Sequence, residues 1–280
     1  MVGLLLNLGV GPVDWNAFRW PVNGFVLGGF LLLVEAVYLL RRVVYGFRFI
    51  GTYQAAIPAL VYAVALTVVM GLTRQTTDGV WLHNMLTFWP FVLIYVYMAV
   101  ILGSVVLQQV RMWVAARLSF SAFRPSLLLH LGLFLAMTTA TLGNADMLRL
   151  KMVTVKGMPE WRATDSQGMV VELPLAIELQ QFIMDTYDDG SPKRFASDIQ
   201  ILTQTGKNIQ TTVEVNKPAE VEGWKVYQYG YDTQMGALSQ ISILELVSDP
   251  WLPLVYAGIY MMLAGAVCLF IFGGRKNRKP

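Results

Sequence analysis

Five long apolar runs constrain the fold of this 280-residue chain more than any other feature. Each run is close to the roughly 20 residues that a helix needs to cross the hydrocarbon core of a bilayer. The predicted spans are Val22–Leu40, Ala55–Leu72, Leu82–Leu107, Leu127–Leu142 and Trp251–Phe272. Charged residues make up only 14% of the chain, against about a quarter in ordinary soluble domains. The sequence therefore predicts a multi-pass α-helical membrane protein with about five transmembrane helices.

The region between the last two spans differs from the rest of the chain in charge and in pattern. Residues 146–249 hold 9 basic and 15 acidic side chains, which leaves 12 basic and 3 acidic ones elsewhere. Polar and apolar residues alternate here in four runs, which are Leu148–Val155, Val170–Ile177, Thr211–Val215 and Trp224–Tyr229. Because alternation of period two is typical of half-buried strands, we predict a small β-rich domain, an antiparallel sheet or a sandwich, at residues 143–250. The mild overall charge of +3 gives no reason to expect a nucleic-acid partner.

The basic residues predict the sidedness of the chain, because short cytoplasmic loops are enriched in Lys and Arg. Ten of the twelve basic residues outside the β-rich region would share one side: Arg41, Arg42, Arg48, Arg111, Arg117, Arg124, Arg275, Lys276, Arg278 and Lys279. The loops on the opposite side hold only Arg19 and Arg74. We therefore expect the N-terminus outside, the C-terminus in the cytoplasm and the β-rich domain on the extracytoplasmic side.

This sidedness divides the chain into five predicted parts. They are an interfacial segment at 1–21, a four-helix transmembrane region at 22–142, the outer domain at 143–250, the last transmembrane helix at 251–273 and a basic cytoplasmic tail at 274–280.

His130 is the main candidate for a functional residue. It lies six residues after Arg124, which places it about 9 Å from the inner boundary at a helical rise of about 1.5 Å per residue. Helical spacing puts Phe134, Thr138 and Thr141 near its face, so we expect that face to turn towards the other helices. Two interpretations stay open: a hydrogen bond to a neighbouring helix, or a functional role in ligand binding, proton transfer or haem binding.

The remaining polar residues support few kinds of chemistry. His83, at the outer end of the third span, is either an ordinary interfacial histidine or a candidate haem ligand near the outer leaflet. The single cysteine, Cys268, excludes an intramolecular disulfide and a Cys-x-x-Cys-His haem-attachment site. The outer domain has no histidine, no cysteine and no catalytic motif, so we predict no catalytic residue. Glu35 is expected to pair with Arg41 or Arg42 by snorkelling.

Three stretches resemble the ResB family, also called CcsB, of the System II cytochrome c assembly pathway. Thr212–Asp232 carries the family's order of Asn-x-Pro, Gly and Tyr-Gln, and Asp249–Gly258 is similar to the opening of its last transmembrane helix. Leu129–Leu135, followed by the small residues of Thr139–Gly143, is similar to the family's third helix, whose histidine is implicated in haem ligation. That histidine corresponds to His130. The resemblance covers residues 82–273, with one additional helix ahead of it and a shorter outer domain than in many members.

The resemblance implies a function and a set of partners. It implies a subunit of a membrane complex that delivers haem b and attaches it to apocytochrome c, the haem being held transiently and shared with a CcsA-like membrane partner. Haem lyase activity would belong to that complex in a bacterial cytoplasmic membrane, with His130, and His83 as a further candidate, binding haem and the outer domain binding apocytochrome c. The alternative is a structural membrane anchor that presents the β-domain to an extracytoplasmic partner without handling haem.

Overall fold

The computed structural model describes residues 1–76, 79–117 and 125–272. These form two compact units, one containing residues 1–146 together with the chain from residue 251, the other residues 147–250. Arg124 and the predicted basic tail at 274–280 lie outside the described residues.

The first unit is helical. Its helices are α1 (Val2–Gly9), α2 (Val22–Leu40), α3 (Tyr45–Ile50), α4 (Tyr53–Leu72), α5 (Trp89–Ala115), α6 (Pro125–Gly143) and α7 (Leu252–Phe272). Within the described residues, five of these helices, α2, α4, α5, α6 and α7, are long and apolar enough to cross a membrane. The chain is therefore a multi-pass membrane protein, as the five apolar runs predict.

The predicted start of the third span is wrong. Helix α5 begins at Trp89 rather than Leu82, and two short 3₁₀ turns, Trp81–His83 and Met85–Thr87, precede it. Pro90 stands in the first turn of α5, where its missing amide hydrogen costs no helical hydrogen bond and its fixed φ favours a helix start. Of the apolar residues just ahead of the helix, Met85 and Phe88 are buried by packing, whereas Leu82 and Leu86 are exposed.

Helices α6 and α7 pack closely through glycines. A methyl group at Gly132 would lie 2.5 Å from the carbonyl oxygen of Gly258 and 2.8 Å from the amide nitrogen of Met262. A methyl group at Gly265 would lie 2.8 Å from the amide nitrogen of Leu129. Small residues that allow two backbones to approach are a common basis of helix association in membranes.

A second face of α6 packs against α2 and α5. A methyl group at Gly103 of α5 would lie 2.9 Å from both the Phe134 ring of α6 and Val34 of α2. The Phe134 ring also stacks on Phe30 of α2, with centroids 6.2 Å apart. Helix α6 therefore lies between α7 on one side and α2 and α5 on the other.

The second unit is a single eight-stranded antiparallel sheet. Its strands are β1 (Leu148–Val155), β2 (Pro159–Thr164), β3 (Val170–Thr186), β4 (Pro192–Thr203), β5 (Asn208–Glu214), β6 (Ala219–Val221), β7 (Trp224–Tyr231) and β8 (Ile241–Ser248). Their order in the sheet is β5-β4-β3-β2-β1-β8-β7-β6. Three of the four alternating runs lie wholly in strands, and the fourth, Thr211–Val215, passes the end of β5 by one residue. Strand β1 has the predicted bounds, so the expectation of a β-rich domain between the last two spans is confirmed.

Alternation in the strands builds the core of this unit. Leu150 and Met152 of β1 are buried and pair with Leu246 and Leu244 of β8, whereas Lys151, between them, is exposed. In β7, Trp224 is buried and Tyr227 only half-buried, as expected for residues three apart on a strand. The sheet therefore has one face of inward side chains, and these form its hydrophobic core.

Candidate functional site

His130 lies on α6 and contacts α5. Its Nδ1 atom is 3.1 Å from Nε2, the side-chain amide nitrogen of Gln109. The histidine is half-buried, and among the described residues its Nε2 atom has no hydrogen-bond partner. One ring nitrogen is therefore held by a neighbouring helix, and the other has no hydrogen-bond partner among the described residues.

Gln109 has an incomplete set of hydrogen bonds. Its carbonyl oxygen Oε1 is buried and, among the described residues, has no hydrogen-bond partner. A buried amide oxygen without a donor is uncommon in folded proteins, where most buried polar atoms are paired. The sequence analysis does not predict a role for Gln109, although two adjacent glutamines, Gln108 and Gln109, interrupt an otherwise apolar run.

The polar stripe predicted around His130 is only partly correct. Phe134 and Thr138 are buried, as predicted, but Thr141 is exposed. The Thr138 hydroxyl donates to the carbonyl oxygen of Phe134 at 2.7 Å, and the Thr141 hydroxyl donates to that of Met137 at 2.8 Å. Both hydroxyls are satisfied within their own helix, because a threonine in a helix can reach the carbonyl four residues back. They do not extend a polar path from His130.

His83 occupies a different environment. It is exposed, ends the first 3₁₀ turn ahead of α5, and places Nδ1 3.1 Å from the carbonyl oxygen of Arg74. Gln109, the partner of His130, follows the start of α5 by 20 residues, a distance of about 30 Å along the helix. The structure does not bring the two histidines together, so they cannot ligate the same iron atom.

The predicted partner of Glu35 is wrong. Glu35 pairs with Arg111 of α5, not with Arg41 or Arg42. Arg41 instead stacks over the Tyr38 ring, 3.9 Å from its centroid, and Arg111 contacts the same ring at 4.7 Å. Arg111 could reach Glu35 because α5 continues to Ala115, beyond the predicted end of the third span.

A second polar cluster joins the ends of three spans. The Oδ1 atom of Asp146 accepts a hydrogen bond from the backbone amide of Trp20 at 2.7 Å. Its Oδ2 atom accepts from the Asn23 side chain at 2.7 Å and from the Trp251 indole at 2.6 Å. Asn23 is fully buried. One carboxylate therefore ties the start of α2 to the segments that follow α6 and precede α7.

These hydrogen bonds determine the charge state of Asp146. Burial acts to raise the pKa of Asp146, but the hydrogen bonds from Trp20, Asn23 and Trp251 and the charge of Arg19 together hold the pKa below its ordinary value. Each donor favours the ionised carboxylate. The cluster is thus a structural junction that needs a negative charge.

Among the side chains described at this site, the His130 imidazole is the group that would hold a haem iron. A neutral imidazole supplies one nitrogen lone pair, and haem iron in proteins takes its ligands from His, Cys, Met or Tyr side chains. The described residues contain no group of three or more His, Cys, Asp or Glu side chains that could hold a metal ion by themselves. A haem at this site would therefore be held by His130 as a single ligand from the described residues.

The fold and these contacts define a class of protein: a membrane protein with five spans, a β-domain between the last two, and a histidine within the fourth span. A family model described as the ResB-like family matches residues 124–239, which include His130 and most of the β-domain. The resemblance to the ResB family, also called CcsB, is thereby confirmed.

Two curated relatives share part of this region. They are the cytochrome c biogenesis proteins CcsB of Prochlorococcus marinus strains NATL1A and NATL2A, each 28% identical over 115 residues. The matched part is 41% of this chain and 26% of each relative, so the chain spans about a quarter of their length. Among solved structures, a cytochrome c haem lyase CcmF is similar at 15% identity and a TM-score of 0.40, over 96% of this chain and 49% of that one.

Proposed function

We propose that this chain is a membrane subunit of a cytochrome c assembly complex, in which His130 would be a ligand to haem iron. The observation that carries the proposal is the position of His130 within the segment that matches the ResB-like family. There a half-buried imidazole has one ring nitrogen held by Gln109 and the other without a partner among the described residues.

The surroundings of His130 suit a ligand better than a proton relay. Neighbouring positions on α6 are leucines, Gly132 and Phe134, and haem is commonly held by an imidazole in apolar surroundings of this kind. A relay would need a second titratable group within hydrogen-bond reach, whereas the polar partner found here is an amide. Haem b, when bound, supplies the iron, and this chain's part is to position one nitrogen and exclude water from it.

The remainder of the proposal concerns partners. Because one histidine supplies one ligand, we propose a CcsA-like membrane protein that supplies the second ligand and the attachment chemistry. The eight-stranded domain would hold apocytochrome c, since the end strands β5 and β6 can pair with an extended peptide. The complex would lie in a bacterial cytoplasmic membrane with this domain outside.

The test is the haem content of the purified complex. We expect His130→Ala to insert and assemble, because removing a polar group does not impair partitioning of a helix into lipid, yet to lose most of its Soret absorbance per mole of folded complex. Added imidazole, which fits the space left by the side chain, should restore part of that absorbance. His83→Ala is the control and should retain haem, since His83 is exposed and bonded to a loop carbonyl.

Equal haem in wild type and His130→Ala would remove His130 from the site. A wild-type complex without a Soret band would instead favour the structural anchor that presents the β-domain to a partner.

A further inference from the structure

We propose that Gln109 is the positioning residue for His130: its amide occupies Nδ1 and thereby directs iron to Nε2. The inference rests on the proposed role of His130 as a haem ligand. It also identifies which atom of the Gln109 side-chain amide must face Nδ1 when Nε2 binds iron.

The hydrogen-bond chemistry of the pair leads to this conclusion. A neutral imidazole carries one ring proton, on either Nδ1 or Nε2. With the amide nitrogen of Gln109 towards Nδ1, as the structure has it, Nδ1 accepts a hydrogen bond and the proton lies on Nε2. In that state the lone pair of Nε2 cannot bind a metal.

Ligation through Nε2 requires the opposite donor and acceptor roles in the hydrogen bond between Gln109 and Nδ1. The ring proton must then lie on Nδ1, and Nδ1–H needs an acceptor. A half-turn of the Gln109 amide brings Oε1 to the place of the amide nitrogen and provides that acceptor without moving either helix. Oε1 is free to do so, because it is buried without a hydrogen-bond partner among the described residues.

A second observation supports a positioning role. Gln109 lies on α5 and His130 on α6, and these helices also pack through Gly103 against Phe134. The amide and the ring therefore lie on two helices that pack closely at a neighbouring position. Hydrogen bonds to the second ring nitrogen of a metal-bound histidine commonly fix the ring and increase its basicity.

The first experiment needs no haem. The protein has two histidines, His83 and His130, so ¹⁵N-histidine labelling gives few signals, and a His83→Gln variant assigns them. We expect Gln109→Leu to shift the Nδ1 resonance of His130 and to leave the His83 resonances in place. Gln108→Leu is the matched control, since Gln108 is the exposed neighbour on the same helix. Unchanged His130 resonances in Gln109→Leu would overturn the proposal.

The second experiment uses the haem-loaded complex. We expect Gln109→Leu to weaken haem retention roughly 10- to 100-fold, the usual effect of removing the hydrogen-bond partner of a ligand, and to raise the reduction potential. Gln109→Glu keeps an acceptor for Nδ1–H, so it should retain haem and lower the reduction potential, because a more electron-rich imidazole stabilises ferric iron. Gln108→Leu should match wild type in both measurements.

The outcomes separate the two proposals. Haem bound through His130, with the same reduction potential in wild type and both Gln109 variants, would overturn the role of Gln109 and leave the proposed function intact. A wild-type complex without haem would overturn both. If Gln109→Leu does not assemble, Gln109→Glu alone still decides the matter through the sign of its potential shift.

Discussion

At the scale of single residues, Asp146 and His130 show how polar side chains are accommodated at the two ends of α6. His130 is near the start of the helix and contacts one amide of α5. Asp146 follows the end of the helix and accepts three hydrogen bonds from residues far apart in sequence. In the first arrangement one ring nitrogen has no hydrogen-bond partner among the described residues, whereas in the second both carboxylate oxygens accept hydrogen bonds.

We expect Asp146→Asn to destabilise the helical unit by about 1–3 kcal/mol, because an amide cannot accept all three hydrogen bonds and leaves a buried donor of Asn23 or Trp251 poorly paired. The measurement is thermal unfolding in detergent at neutral pH. The control is Asp188→Asn, an exposed aspartate of the β-domain.

The same variant tests how the stability contribution of Asp146 depends on pH. The pKa of Asp146 is lower in the folded chain than its ordinary value of 3.8, so its stabilising effect is complete above that value and is lost as the pH falls through the folded pKa. The difference in stability between wild type and Asp146→Asn should therefore shrink below about pH 4. A difference that stays constant from neutral to strongly acidic pH would show that the charge of Asp146 does not act as described.

At the scale of elements, the contact between α6 and α7 is the closest helix packing in the described part of the chain. Backbone atoms of the two helices meet at Gly132, Gly258 and Gly265. Since lipid is as apolar as the helices, their association depends on close packing rather than on removal of apolar surface from water.

Gly258→Leu should therefore separate α6 from α7. A methyl group at this position would already lie 2.6 Å from the carbonyl oxygen of Gly132, and overpacking of this kind costs about 1–3 kcal/mol. The loss would appear as a lower unfolding temperature in detergent. Gly28→Leu is the matched control, because a methyl group on Gly28 of α2 would meet no atom within 4 Å. Equal losses in the two variants would argue against a specific contact.

At the scale of the whole molecule, the charges outside the β-domain predict which side of the membrane each loop occupies. Five of the ten residues behind this prediction are described in the structure: Arg41, Arg42, Arg48, Arg111 and Arg117. The other five, Arg124, Arg275, Lys276, Arg278 and Lys279, lie outside the described residues. Arg111 lies in the last turns of α5 rather than in a loop, yet it is close enough to the helix end to count towards the rule.

Alkaline phosphatase fused after Lys207, in the turn between β4 and β5, should be active, and a fusion after Arg117 should be inactive. The enzyme requires disulfides, which form outside the cytoplasm. Enzyme activity in whole cells, normalised to the amount of fusion protein, is the measurement. Activity after Arg117 and none after Lys207 would invert the topology.

The sequence by itself determined the number of spans, the position of the β-domain and the identity of the main candidate residue. Span length and strand alternation are local properties: each apolar run is fixed by the thickness of the bilayer, and each strand by the period of the pleat. For that reason Val22–Leu40 and Leu148–Val155 have the predicted bounds.

Only the tertiary structure decided which side chains meet. The pairing of Glu35 with Arg111, the contact of Gln109 with His130 and the cluster at Asp146 join residues that are 21 to 126 positions apart. Such contacts depend on how each helix is rotated about its axis and where it crosses its neighbour. Apolar periodicity gives little information about that rotation when lipid surrounds most of a helix. The start of α5 at Trp89 has a different cause: hydropathy does not distinguish a residue buried by packing, such as Met85 or Phe88, from a residue in lipid.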